Sequence, residues 1–166
     1  MSIASIDYGG WDSHRSTINM IEGQLNDIFG LGKGLDTLVK ELELVAPEIL
    51  DKIVIMVSGE FGRQLSSNGS QGSDHGTGNS MLLIGKPVKS GCYGEMFPIS
   101  ELGGENINPK HTFAQANSDI EGLTSMNQVY GRVCEWLAPS SAETVIPGWS
   151  GTMMESNVNM ANLFSS

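Results

Sequence analysis

The sequence has 166 residues, enough for one domain with a buried core. It carries 9 Lys and Arg residues against 19 Asp and Glu residues, a formal net charge of -10, which argues against nucleic acid or an anionic membrane surface as a partner. No apolar run approaches the roughly 20 residues that a membrane-spanning helix needs.

The first segment carries a weak strand signal. Ile3 and Ile6 stand among small residues, and Gly9 with Gly10 ends the pattern. The N-terminus lacks a basic segment followed by an apolar one, so we expect no export signal within these residues.

A long amphipathic helical pattern follows the first segment. Apolar side chains recur three and four positions apart, as one buried helix face requires. They are Ile18, Ile21, Leu25, Ile28, Leu35, Leu38, Leu42 and Val45. Gly30, Gly32 and Gly34 interrupt the pattern, and Pro47 closes it. Because each glycine costs about 1 kcal/mol in a helix relative to alanine, we expect a kink or two helices.

Residues 53–57 and 81–84 are predicted strands. The first run is continuously apolar and rich in β-branched side chains, which is typical of a central strand buried on both faces of a parallel sheet. The segment after Gly85 indicates a hairpin or an irregular excursion. A second helix is predicted from Val129 to Leu137 and ends before Pro139. We see no linker or repeat, so residues 1–166 are expected to form a single α/β domain.

Candidate functional residues fall in three places near the predicted strands. Asp12 and His14 follow the first segment, Glu60 and Arg63 follow the strand at 53–57, and Asp74 and His75 precede the strand at 81–84. The carboxyl ends of strands in open α/β sheets collect ligand-binding groups. Imidazole and carboxylate together suit zinc best, with manganese or iron as alternatives, and suit calcium less because it rarely takes nitrogen ligands.

Each of these residues also has a structural interpretation. Asp12 fits a helix N-cap, Asp74 fits a turn, and Glu60 with Arg63 fits a surface ion pair worth at most about 1 kcal/mol. Against this, two of the three histidines lie beside or one residue from an aspartate in glycine-rich loops.

The remaining histidine and the cysteines are weaker candidates. His111 has no carboxylate close in sequence, which favours a surface or hydrogen-bonded histidine. Cys92 is better explained as a turn residue than as a nucleophile, and Cys134, in a predicted helix near Trp136, as a core residue. Their spacing fits neither a disulfide scaffold nor a zinc knuckle, so their redox state stays open.

Several motifs in a fixed order carry a resemblance to a known family. These are GGWDSH, a long helix, IVIMVSGEFGR, GSDHGTGNSMLLIG and LTSMNQVYGRVCEWL. The set resembles the C-terminal half of a sulfatase-like bacterial family, domain of unknown function 1501, within the alkaline phosphatase superfamily. The similarity runs from about residue 8 to residue 137, and VIPGW near the C-terminus resembles the family's ending.

The resemblance implies a mostly parallel sheet sandwiched by helices, with two metal sites at the strand ends. His75 is the ligand most directly carried over, and Asp12 with His14 resembles the superfamily's earlier ligand pair, although their spacing is shorter. Glu60 stands where the superfamily has two consecutive ligands, and the Phe61 after it cannot bind metal. The second metal site is therefore expected to be altered or missing.

The resemblance also implies that the first metal-binding aspartate and the nucleophile belong to an N-terminal half that this sequence does not include. It further implies export to the periplasm or the exterior. A sheet without its neighbouring strands is expected to pair with another copy, giving a homodimer.

The functional hypothesis is a metal-dependent hydrolase domain acting on small anionic phosphate or sulfate esters. Its metal ligands are predicted to be Asp12, His14, Asp74 and His75. Glu60 completes the site, and Arg63 supplies positive charge toward the ester. The competing hypothesis is a noncatalytic module that binds a metal, a glycan or a protein. A third is a structural domain without a ligand.

Overall fold

The computed structural model describes residues 3–64, 67–94, 124–152 and 163–165. In chain order its helices are α1 (Thr17–Phe29), α2 (Gly34–Val45), a 3-10 helix (Pro47–Lys52), α3 (Met126–Leu137), α4 (Ala142–Val145) and α5 (Trp149–Thr152). The strands are β1 (Ile55–Val57), β2 (Gly62–Arg63), β3 (His75–Gly76) and β4 (Leu82–Ile84). Within this part of the chain, no helix is both long and apolar enough to cross a membrane.

The long helical pattern forms two helices, which confirms one of the two outcomes expected from its glycines. Helix α1 ends at Phe29, and the Gly30 N–H then donates to the Asn26 carbonyl. Helix α2 begins at Gly34, whose φ of 30° lies in the left-handed region that favours glycine. Asp36 in its first turn accepts hydrogen bonds from the Gly32 N–H and the Lys40 ammonium. A carboxylate at this end is favourable for the helix dipole.

The sheets are small and antiparallel. Strand β1 pairs with β4 in the register Ile55↔Ile84, Met56↔Leu83 and Val57↔Leu82. The second sheet is the pair β2 and β3, which is also antiparallel. The α/β class is thus confirmed, but the described residues form antiparallel pairs where a mostly parallel sheet was expected.

Strand β1 was expected to be a central strand buried on both faces, yet its residues are only half-buried. A short apolar run predicts a strand but does not encode the direction of its neighbour, so the sequence could not distinguish the two pairings. The weak strand signal at residues 3–8 does not produce a strand. Ile3 and Ile6 there are 80% and 86% exposed.

The hydrophobic core of the described residues lies among the C-terminal helices. Val129 of α3, Ala142 of α4 and Leu163 are its buried apolar residues. Helix α3 confirms the second predicted helix, and its N-cap Ser125 accepts a hydrogen bond from the Asn127 N–H.

A residue near the C-terminus, Phe164, contacts two segments that precede it in the sequence. Phe164 stacks on Trp136 of α3, with ring centroids 5.3 Å apart, and forms an isolated antiparallel bridge with Val88. Apart from this bridge, residues 86–94 form no strand, so the hairpin that was one of the two expectations after Gly85 is not formed within the described residues. His111 lies outside the described residues.

Candidate metal centre

The short hairpin β2–β3 sets the position of two candidate residues. Gly62 pairs with Gly76, and Arg63 pairs with His75 directly across the strands. A Cβ atom on Gly62 would overlap the backbone of Gly78, so glycine is required at this crossing. Because directly opposite residues project to the same face, the pairing brings the guanidinium and the imidazole together.

The loop between these strands is fastened to the start of α1. The Ser16 and Thr17 N–H groups donate to the carbonyls of Ser70 and Gln71, at 3.2 and 3.1 Å. Thus two of the four unpaired N–H groups at this helix N-terminus are satisfied by the loop, and the N-cap Ser16 makes no side-chain cap hydrogen bond. Gly72 lies close against the His14 backbone, where a Cβ atom would clash with the His14 carbonyl. These contacts join two segments that are distant in sequence.

Asp12, His14 and His75 form a compact group of donor atoms. Asp12 Oδ1 lies 2.7 Å from His75 Nε2 and 3.3 Å from His14 Nε2. One donor atom from each residue lies within 4.8 Å of the others, and all three side chains are exposed. The hydrogen bond from His75 has the largest effect on Asp12 and lowers the pKa of its carboxyl below the ordinary value.

This donor set fits a divalent metal ion. Two imidazole nitrogens and one carboxylate oxygen are the protein ligands of many catalytic zinc sites, which leave a fourth position open. Tetrahedral ligands at zinc bond lengths stand about 3.3–3.6 Å apart. The 3.3 Å between Asp12 and His14 matches this separation. At His75, metal binding would release the Nε2 proton that is donated to Asp12, and the 2.7 Å separation would lengthen by roughly half an ångström.

Asp74 joins the site on the far side of His14. Its Oδ1 lies 2.9 Å from His14 Nδ1 and accepts a hydrogen bond from Asn68 Nδ2 at 3.1 Å. The Asn68 hydrogen bond, followed by the His14 contact, lowers the pKa of Asp74 below its ordinary value. Asp74 does not belong to the three-residue donor group, although the sequence grouped it with the ligands.

Arg63 binds the chain segment that carries Asp12. Its Nη2 donates to Asp12 Oδ1 and to the Trp11 carbonyl, both at 3.0 Å, and its Nη1 donates to the Ser73 carbonyl at 2.8 Å. The guanidinium has five N–H groups, and the other two make no hydrogen bond to any residue that the structure describes.

Phe61 contributes a contact that sequence reasoning missed. Its ring stacks on the His75 imidazole with centroids 3.8 Å apart, and the Arg63 guanidinium lies 5.2 Å from the same ring. The available signal was the two-residue spacing of Phe61 and Arg63, which places both on one face of an extended segment. Asn68 was also missed, and no local sequence pattern marks it.

Glu60 stands apart from the other predicted site residues. Its side chain is exposed and makes no hydrogen bond or ion pair with any described residue. The structure therefore brings together Asp12, His14, Arg63, Asp74 and His75, and leaves Glu60 outside their contacts. Cys92 is exposed and Cys134 is half-buried, and both are free thiols.

Comparison with known proteins gives a family and no characterised relative. No curated protein and no solved structure matches this chain. The family model described as "Protein of unknown function (DUF1501)" matches residues 1–127, which is most of the sequence. This chain is therefore a member of the DUF1501 family.

Proposed function

We propose that this chain is the metal-binding part of a hydrolase that acts on phosphate or sulfate esters, related to the sulfatases of the alkaline phosphatase superfamily. The observation that carries the proposal is the donor group of Asp12, His14 and His75, which lies within 4.8 Å and is open to solvent. Three protein donors would leave a fourth coordination position open for water or substrate, as in catalytic zinc sites. Zinc fits these donors best, with manganese and iron as alternatives.

In this proposal the three donors bind one ion, and Arg63 positions one of them, the Asp12 carboxylate. Its hydrogen bonds to the Asp12 carboxylate and the Trp11 carbonyl fix the position of Asp12 before any ligand arrives. The two N–H groups of Arg63 that bond to none of the described residues remain for an ester oxygen. A bound divalent ion supplies Lewis acidity and neutralises charge on a phosphoryl or sulfuryl group.

The proposal keeps Glu60 as the residue that completes the site, the role predicted from the sequence, and its side chain lies outside the contacts that join the other five residues. Glu60 follows β1 and precedes Phe61, and its exposed carboxylate is not committed to a neighbour among the described residues. A free carboxylate there is available as a proton acceptor or as a ligand to a second ion. Phe61 stacks on His75 and has no ligand atom, so a second ion would have fewer protein ligands than the superfamily provides.

The nucleophile is assigned to an N-terminal half, in keeping with the resemblance to sulfatases. The parallel sheet that this superfamily shares would form between the two halves. Export to the periplasm or exterior is part of the same proposal. The chain alone is therefore expected to bind metal and to hydrolyse esters poorly.

The proposal is tested by metal analysis followed by turnover. Purified protein is reconstituted with Zn²⁺ and dialysed, beside His75→Ala and the control Asp51→Ala, whose aspartate pairs with Lys86 away from the site. We expect about one equivalent of zinc in the wild type and the control, and its loss in His75→Ala. Absence of zinc, manganese and iron from all three proteins would contradict the metal site.

Hydrolysis is then measured with an aryl phosphate and an aryl sulfate, using this chain and a form extended at its N-terminus. Turnover by the extended form, lost in His75→Ala, is the expected result. Metal binding without turnover in either form would favour the competing function, a noncatalytic metal-binding module. That alternative is kept because the donor group alone is equally compatible with it.

A further inference from the structure

The contact between Asp74 and His14 determines which nitrogen of His14 carries a proton and which carries a lone pair. An ionised carboxylate only accepts hydrogen bonds, so the 2.9 Å contact requires a proton on His14 Nδ1. In a neutral imidazole the other nitrogen, Nε2, then carries a lone pair. Nε2 is the atom of His14 that lies 3.3 Å from the Asp12 carboxylate, inside the donor group.

Asp74 is itself held in place from two directions. Asn68 Nδ2 donates to Asp74 Oδ1 and also to the His14 carbonyl, at 3.1 and 2.9 Å. The Asp74 carbonyl accepts a hydrogen bond from the Gln64 N–H at 2.9 Å, which continues the pairing of β2 with β3. The carboxylate is therefore fixed relative to both the ring and the backbone of His14.

We propose that Asp74 is a positioning residue that fixes the tautomer and ring orientation of His14, so that Nε2 faces the metal position. This inference rests on the proposed function and deepens it. It gives Asp74 a positioning role in place of the fourth-ligand role that the sequence predicted. The carboxylate contacts the Nδ1 edge of the ring, and the donor group is on the Nε2 edge. Carboxylates that orient metal-binding histidines in this way commonly contribute 10- to 100-fold in metal affinity.

A double-mutant cycle on Zn²⁺ affinity separates positioning from direct ligation. Asp74→Ala is expected to weaken binding about 10- to 100-fold in the wild-type background. In a His14→Ala background it is expected to have no further effect, because Asp74 acts only through His14. Asp74→Asn keeps an oxygen that accepts from Nδ1 and should recover part of the loss, while Asp51→Ala serves as the control. An equal loss in both backgrounds would mean that Asp74 is a ligand and would overturn the proposal.

A second readout needs no metal. Nitrogen chemical shifts of the imidazoles are measured by NMR in metal-free protein at pH 8, where free imidazole is neutral. His14 should show a proton on Nδ1 in the wild type and Asp74→Asn, and should shift toward the Nε2–H tautomer in Asp74→Ala. An unchanged His14 tautomer in Asp74→Ala would overturn the proposal. If the wild type bound no metal but the tautomer still shifted, the proposed function would fail and the positioning role would stand.

Discussion

The C-terminal helices and the candidate metal centre are held together in different ways. The helical region buries Val129, Ala142 and Leu163. The metal centre keeps its donors in solvent and is fixed by hydrogen bonds from Arg63 and Asn68 and by close backbone packing at glycines. Because the donor residues of the candidate centre are exposed, hydrogen bonds and close packing at glycines hold them in place where burial does not.

The largest effect on the metal centre is expected from Gly62→Ala. The added methyl group would overlap the Gly78 backbone, and the β2–β3 pairing that aligns Arg63 with His75 would have to open. We expect zinc binding to be largely lost while the helical circular dichroism signal is largely kept. The matched control is Gly9→Ala, because a Cβ atom at Gly9 meets nothing within 4 Å. Wild-type zinc affinity in Gly62→Ala would show that the hairpin does not hold the site.

In the helical region the corresponding change is Gly131→Ala. Gly131 lies in α3 under the Trp149 indole, and a methyl group there would displace the ring. Overpacking of this kind costs about 1–3 kcal/mol of unfolding free energy, which urea denaturation followed by tryptophan fluorescence would measure.

Gly23→Ala is the control for Gly131→Ala. Gly23 is also in a helix, α1, but a Cβ atom added there meets nothing within 4 Å, so alanine there should stabilise by roughly 0.5–1 kcal/mol. Equal effects at Gly131 and Gly23 would contradict the packing of Trp149 on α3.

The smallest predicted effect concerns the hydrogen bonds between α3 and α4. The Glu135 carboxylate accepts from the Ala142 and Ser140 N–H groups, and these bonds, Ala142 first, lower its pKa below the ordinary value of 4.5. The stabilisation is therefore present above pH 4.5 and is lost as the pH falls through the lower folded-state pKa.

Glu135→Gln removes this pH-dependent part of the stability. The wild type should have the higher urea midpoint at pH 7, and the difference should shrink as the pH falls below 4.5. A difference that stays constant over this range would show that the charge of Glu135 is not responsible.

Local patterns predicted the elements of this fold better than their pairing. The apolar spacing from Ile18 to Val45 and the glycines between predicted a kink or two helices, and two helices are present. The runs at 53–57 and 81–84 predicted β1 and β4, but apolar content carries no information on strand direction. The apolar pattern of residues 3–8 was weak, and this segment pairs with no strand among the described residues.

For the site, residue types and their loop context identified the candidate residues. Tertiary contacts, which the sequence does not show, determine where each one lies. Residue type and loop context grouped Asp74 and His75 as equivalent candidates. The register of β3 with β2 points His75 toward Asp12, while the hydrogen bonds of Asn68 set Asp74 behind His14. Those contacts join residues far apart in sequence, so spacing alone could not separate the two roles.

The hydrogen bond between Asp12 and His75 joins residues 63 positions apart. An ion bound by both would act as a reversible cross-link that closes this long segment into a ring. Such a closure removes conformations from the unfolded chain, and its entropic effect grows with the length of the ring. The melting temperature would then rise with free metal concentration, so a thermal melt would show whether the ion is bound.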